Sequence, residues 1–282
     1  MDEIRVMTGI SLRRLLGRVR FLVGLLLVPI CVWMCYAKVP PFLAEKGMSL
    51  QAAEPFILLF CPHWTQLFLL LSLLLLLGDV PFLHEGMETV AVRTSKGKWL
   101  LSQTFASLGL IALWMVWIQI CTLAVFRGYL HFENRWSTLT KLLARTLNQG
   151  SPTKVGFELG VYPNATLITG QTPYGMLWKT ALLNFVLFAM LVIWSMLLNL
   201  LTKRSYGSLL VVALWAFRFG IQRMAPLYDL AIISPMSLTE LRSDSLTTAR
   251  MAYILLFYAL HIVLLWILSR KRMKRLDMTK LG

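Results

Sequence analysis

Apolar residues come in six long runs separated by short polar stretches, and this rhythm decides the fold class. The runs read from about Phe21 to Ala37, Phe56 to Gly78, Trp99 to Phe126, Lys179 to Leu201, Ser208 to Met224 and Met251 to Leu268. A helix needs roughly 20 mostly apolar residues to cross a hydrocarbon core about 30 Å thick. The pattern therefore predicts an all-α, polytopic membrane protein with six transmembrane helices. Pro29 inside the first run predicts a kink, because proline removes a backbone donor. Pro62 lies near one end of the second run, and the third is long enough to tilt or to extend past the membrane. Arg218 and Arg223 interrupt the fifth. Trp99, Trp178, Tyr206 and Tyr253 stand near span ends, where interfacial anchors are expected.

Composition points the same way. Of the 282 residues, 57% are hydrophobic and 15% charged, where a soluble domain carries about a quarter charged residues. The formal net charge of +15 would suggest nucleic acid in a soluble protein, but no aromatic-and-basic platform supports that partner. Cytoplasmic loops of membrane proteins carry excess Lys and Arg, which anionic lipid attracts. Five basic residues fall in 1–20, three in 79–98, two at Lys203 and Arg204, and six from Arg270 to Lys280. That is sixteen in about 60 residues, against nine in about 95 for the alternate segments. The bias places both termini in the cytoplasm, which an even number of spans allows. The chain then reads as one transmembrane domain over 1–282. It has a basic cytoplasmic N-terminal segment (1–20), a cytoplasmic segment (79–98), an outer loop (127–178) and a basic cytoplasmic tail (269–282). No cleavable signal peptide is expected, since the first apolar run follows five basic residues and no small-residue cleavage site follows it.

The outer loop has internal pattern. Trp136, Leu139, Leu143 and Leu147 recur at helical spacing within Phe132 to Gly150, and a stretch rich in Gly, Pro and Thr follows to Gly175. A short outer-surface helix is expected there. Asn164-Ala165-Thr166 matches a glycosylation acceptor. The four cysteines, Cys31, Cys35, Cys61 and Cys121, all lie in apolar segments and read as small packing residues. His63, His84, His131 and His261 are scattered without carboxylates at ligand spacing, so neither a metal site nor a cofactor is expected. No phosphate loop, H-E-x-x-H or G-x-S-x-G occurs, and the chain should not itself hydrolyse ATP.

The segment after the second run holds the densest chemistry. Asp79 can cap a short helix whose first turn includes Pro81, with Glu85 and Glu88 near its start and Arg93 near its end, matching the helix dipole. Phe82, Met87 and Val90 add apolar contacts. Such a helix suits docking into a groove on a soluble partner; an ordinary solvated loop is the alternative.

The stretch Asp79-Val80-Pro81-Phe82, with Val92-Arg93-Thr94-Ser95-Lys96-Gly97-Lys98-Trp99-Leu100 and Gln103, resembles the inner loop of bacterial ABC transporter permeases of the type-2 exporter group. There an Asp-x-Pro-Phe turn leads through a short helix to an Arg-Thr/Ser segment that ends in Trp and opens the third span. Ile233-Ser234-Pro235-Met236-Ser237 is similar to that group's outer Ser-Pro segment, although Leu238 and Thr239 stand where Trp commonly follows. The resemblance implies a bacterial plasma-membrane permease that pairs as a homodimer or heterodimer. It also implies a separate ATPase subunit, on which Asp79, Pro81, Phe82, Glu85, Glu88, Arg93 and Lys98 would form the coupling segment. The basic N-terminal segment would lie along the inner membrane surface.

Two rival functions remain at this point. A lipid-modifying membrane enzyme needs clustered acid, base or metal ligands, and only dispersed residues such as Glu133, Glu158, Asp229 and Asp244 are present. A secondary transporter or channel without an ATPase partner would carry inverted repeats, which the sequence lacks. Arg218 is the further candidate: it lies ten residues beyond Ser208, about 15 Å along a helix and so near the bilayer midplane. Gln222, four residues on, shares its face, and the pair is a possible pathway feature; a freed carbonyl and, if the outer loop folds back, Asp229 are the other partners open to Arg218.

Topology is directly testable. Single cysteines at Ser95→Cys and Ser151→Cys, in a background lacking the native thiols, are expected to react differently with an impermeant thiol reagent in intact cells. Ser151→Cys should label and Ser95→Cys should not; the opposite result reverses the orientation.

Overall fold

The computed structural model describes residues 2–81, 95–147, 159, 168, 170–223, 235–239 and 248–275, almost entirely as helix. In chain order these are α1 (Asp2–Leu16), α2 (Val19–Tyr36), α3 (Val39–Lys46), β1 (Leu50–Gln51), α4 (Glu54–Leu59) and α5 (His63–Leu77). There follow α6 (Lys96–Val125), β2 (Leu130–His131), α7 (Thr138–Leu147), α8 (Pro173–Thr202), α9 (Gly207–Arg223), a 3-10 turn (Ser237–Thr239) and α10 (Thr248–Arg275). Four helices are long and apolar enough to cross a membrane: α2, α6, α8 and α10, with mean hydropathies of 2.1, 2.2, 2.4 and 2.3. The apolar helices α5 and α9 are shorter, at 15 and 17 residues. The protein is a membrane-embedded helical bundle.

Helices α8 and α6 form its centre. In α8 67% of the most apolar window is buried, against 22% in α10. So α8 is core, while α10 turns Leu256, Leu260, Val263 and Leu264 outward, as a lipid-facing stripe would. On one side α2 packs along α5 and α6; on the other α9 and α10 pack on α8. Gly24 permits the α2–α5 contact, because a Cβ there would come within 3.0 Å of Leu76 and of the Ser72 carbonyl. Ser72 then donates to the Gly24 carbonyl (2.7 Å) and accepts from Trp114 Nε1 of α6 (3.0 Å). One hydroxyl thus ties three helices.

The two prolines act differently. Pro29 stays inside α2. Its missing N–H would have served the Leu25 carbonyl, and Trp117 Nε1 of α6 donates to that carbonyl instead (3.1 Å). Pro62 breaks its span outright. The continuous helix expected from Phe56 to Gly78 is α4 followed by α5, with Phe60, Cys61 and Pro62 between them. The ring disfavours helical geometry at Cys61, and Pro62 itself takes an extended conformation ahead of α5.

Six helix ends meet at one end of the bundle, which also carries many of the basic residues. Asn199, near the end of α8 and 3% exposed, donates to the carbonyls of Gly78 (2.9 Å) and Val80 (2.7 Å) beyond α5. Its Oδ1 accepts the Gly207 N–H that opens α9 (2.6 Å). Gly207 is required there: a Cβ would lie 2.2 Å from Ser195 Oγ and 2.4 Å from its carbonyl. Arg20 at the start of α2 bonds Asp79, Arg270 of α10 lies beside Gly97 at the start of α6, and Arg272 reaches the last carbonyls of α8.

The opposite end is built from short pieces. β1 and β2 pair in parallel, Leu50 with Leu130 and Gln51 with His131. Helix α7 lies where the spacing predicts one, with Trp136, Leu139 and Leu143 buried. Trp178, Tyr206 and Tyr253 are exposed, as interfacial anchors should be, but Trp99 is 1% exposed. Helix α1 covers it: Thr8 and Ser11 bond Ser102 and Gln103 along the first turns of α6. Cys31, Cys35 and Cys121 are buried among apolar side chains, consistent with packing residues.

Asn199→Leu would leave two buried carbonyls and one buried N–H without this partner. Unfolding stability in detergent is expected to drop by about 2 kcal/mol or more. An unchanged melting temperature would show that the clamp does not hold the basic end together.

Candidate functional site

Two polar constellations stand out in an otherwise apolar bundle, and the helix geometry builds both. The first lies at the basic end, at the root of the 79–98 segment. Residues 77–81 leave α5 as a turn, with the Val80–Pro81 peptide cis. Asp79, with a side chain 26% exposed, takes Arg20 Nη1 at 2.9 Å and Arg18 Nη1 at 3.7 Å. Asn199 holds the carbonyls on either side of Asp79. The root of the segment is therefore bonded to α2 through Asp79, and to α8 and α9 through Asn199. On the return side Ser95 caps α6 by accepting the Lys98 N–H (3.3 Å), and the Lys98 side chain is exposed. Phe82, Glu85, Glu88 and Arg93 lie outside the described residues.

The second constellation lies inside the bundle, at the broken span. The break leaves carbonyls without their helical donors, and polar side chains of α5 cover them. Thr65 Oγ1 lies within reach of both the Leu59 and Pro62 carbonyls, which share its single proton, and Gln66 Nε2 donates to the Phe60 carbonyl (2.5 Å). The other end of the Gln66 amide faces α9: Arg218 Nη1 donates to Gln66 Oε1 at 2.6 Å. Arg218 is 3% exposed, so its charge lies in the interior, where an arginine costs several kcal/mol unless bonded. Tyr258 of α10 donates to the Pro235 carbonyl in the Ser-Pro segment. Arg218, Gln66 and the break thus link α9, α5 and α4.

By sequence Arg218 lies in the span with Gln222, a freed carbonyl or Asp229 as its partners. The Gln222 side chain lies outside the described ones, and the described bond runs to Gln66, 152 positions away in sequence. The available signal was Gln66 itself, a lone amide four residues past a proline in an apolar run. Glu54 was also missed. It is fully buried at the opposite end, where Oε1 accepts from the Ser137 N–H and Oε2 from Thr140 Oγ1 (3.1 Å) and the Gln51 N–H (3.3 Å). Ser137 caps α7 (Thr140 N–H to Oγ, 3.1 Å), so Glu54 sits at the positive end of that helix. Burial raises the Glu54 pKa, opposed by its bonds to Ser137, Gln51 and Thr140. The acids considered for an enzyme do not gather: Glu133 is exposed, and Glu158, Asp229 and Asp244 lie outside the described residues, as do Asn164 and the His63 side chain.

A double-mutant cycle between Arg218→Leu and Gln66→Leu measures the internal bridge. A hydrogen bond to a charged group contributes roughly 1.5–3 kcal/mol, and coupling of that order is expected in thermal unfolding. Additive effects would mean that the two side chains act independently.

No protein-family model, curated protein or solved structure matches the chain, so geometry must carry the functional reading.

Proposed function

We propose that the chain is the transmembrane permease subunit of an ABC exporter, working with a separate ATPase subunit and pairing with a second permease. The orientation has six spans, the shorter α5 and α9 included, with both termini and the 79–98 segment in the cytoplasm of a bacterial plasma membrane. One observation carries this reading: the root of the 79–98 segment is bonded to three helices at once. Asp79 holds α2 through Arg20, and the Gly78 and Val80 carbonyls hold α8 and α9 through Asn199. A partner that pulls on the segment therefore moves helix ends rather than a slack loop.

The mechanism is a population shift. Nucleotide changes the shape of the ATPase, and the segment delivers that change as a preference for one bundle arrangement over another. The helices that must part are those with few mutual contacts. Helix α9 packs on α8 but hardly touches α5, and the described hydrogen bond between α9 and α5 is the Arg218–Gln66 bridge. Phe82 anchors the segment in the ATPase, with Glu85, Glu88, Arg93 and Lys98 around it.

A second reading has one observation in its favour. A span broken at Phe60–Pro62 with a buried charge beside it is a feature of transporters that need no ATPase. ATP dependence separates the two.

The test is purification with partners retained. An ATPase subunit should copurify, and Phe82→Ala should weaken that association by about 2 kcal/mol, roughly 30-fold, while the permease still folds. Transport that persists without ATP would favour the second reading, and a complex indifferent to Phe82→Ala would remove the segment from the coupling.

A further inference from the structure

The gap between α5 and α9 is a cavity. It has a volume of about 620 Å³ and lies between α2, α5 and α9, within the roughly 300–1,000 Å³ typical of ligand sites. Its residues fall into two zones along the helices. Leu71, Leu74 and Leu75 of α5 face Leu209 and Val212 of α9, with Leu27 of α2 beside them. Gly78, Asp79, Arg20, Ser205 and Ser208 lie at the basic end. Further along the same two helices, away from the basic end, Gln66 and Arg218 are bonded together. The space is thus a wedge, walled by hydrocarbon along the helices and polar at its mouth.

The mouth is positively charged. Among the described residues Arg18 and Arg20 stand with one carboxylate, Asp79, and exposed Lys203 and Arg204 immediately precede Ser205. Arg20 is 69% exposed although bonded to Asp79, so its guanidinium can contact a second anion while keeping that bond. Ser205 and Ser208 add hydroxyls at the same level. An ion or sugar alone would leave the leucine walls unmatched, and a plain hydrocarbon would leave the mouth unmatched. Charge and apolarity together describe one ligand class.

We propose that this wedge binds an amphiphile with an anionic phosphate headgroup, its acyl chain between α5 and α9 and its headgroup at Arg20. The occupant is a membrane phospholipid of the leaflet at the basic end. Binding depends on the cavity and its charge, and does not depend on the ATPase partner. If the permease reading also holds, this leaflet lipid occupies the space that must change when α9 moves.

Fluorescent phosphatidylglycerol and phosphatidylcholine with identical acyl chains would be titrated against the full-length protein purified in detergent, with soluble glycerophosphate as competitor. Phosphatidylglycerol should bind at least ten-fold more tightly. Arg20→Gln should erase most of that preference while leaving tail binding. Leu209→Trp, at a position 64% exposed, should fill the wedge and block both lipids without lowering the melting temperature. Displacement by glycerophosphate at the same concentration as lipid would make this a site for free phosphate and overturn the proposal. Equal affinity for the two lipids, a preference that survives Arg20→Gln, or binding untouched by Leu209→Trp in folded protein would each overturn it as well. So would loss of self-association in Leu209→Trp without lipid binding in the parent, because the wedge would then hold a second copy of the chain.

Discussion

A backbone carbonyl freed inside an apolar bundle must find a donor on another side chain, because no water reaches it. This constraint organises the protein. Pro29 frees the Leu25 carbonyl, and Trp117 takes it, joining α2 to α6. Pro62 breaks the second span, and Thr65 and Gln66 take the exposed carbonyls. The end of α5 leaves Gly78 and Val80, and Asn199 takes both. Each local defect becomes a contact between elements, so the polar residues of the interior are the joints of the bundle.

The joints differ in strength and in what they can release. Ser72, Trp114 and Gly24 lock α2, α5 and α6 with short bonds and a close backbone approach. Helix α9 is held less widely: it packs on α8, starts at Asn199, and meets α5 through Arg218. A bundle with one firmly locked half and one helix held by specific polar contacts has a natural line of opening. The cavity between α5 and α9 lies along that line. The end of the bundle opposite the basic one is stiffened differently, by Glu54 gripping the start of α7 from inside the protein.

Electrostatics divides the molecule the same way. The basic residues collect where helix ends meet, and Asp79 is bonded among them. Positive charge at one end fits an anionic membrane surface, and the same end carries the mouth of the cavity. Arg218, buried in the interior away from that end, is matched by a neutral amide rather than a carboxylate in the described contact. Glutamine can accept from arginine and donate to a carbonyl at once, which a carboxylate could not do.

Sequence alone determined the class of the protein and most of its helices. Apolar runs of membrane-spanning length leave a chain few alternatives, and α2, α6, α8, α9 and α10 follow those runs closely. The buried stripe of α7 was legible for a related reason, since its period is set by helix geometry alone. Other features required long-range contacts. Pro62 was visible, but whether it would kink or break its span depended on Thr65 and Gln66 covering the freed carbonyls. Trp99 resembled an interfacial anchor until α1 folded over it. The partner of Arg218 lay 152 positions away, and helical register could offer only Gln222. Glu54 carried no signal because its ligands come from a helix start more than 80 residues later. Periodicity reports which face of a helix is buried; only tertiary packing decides which polar group meets which, because those pairs are set by the distances between helices rather than by spacing along one of them.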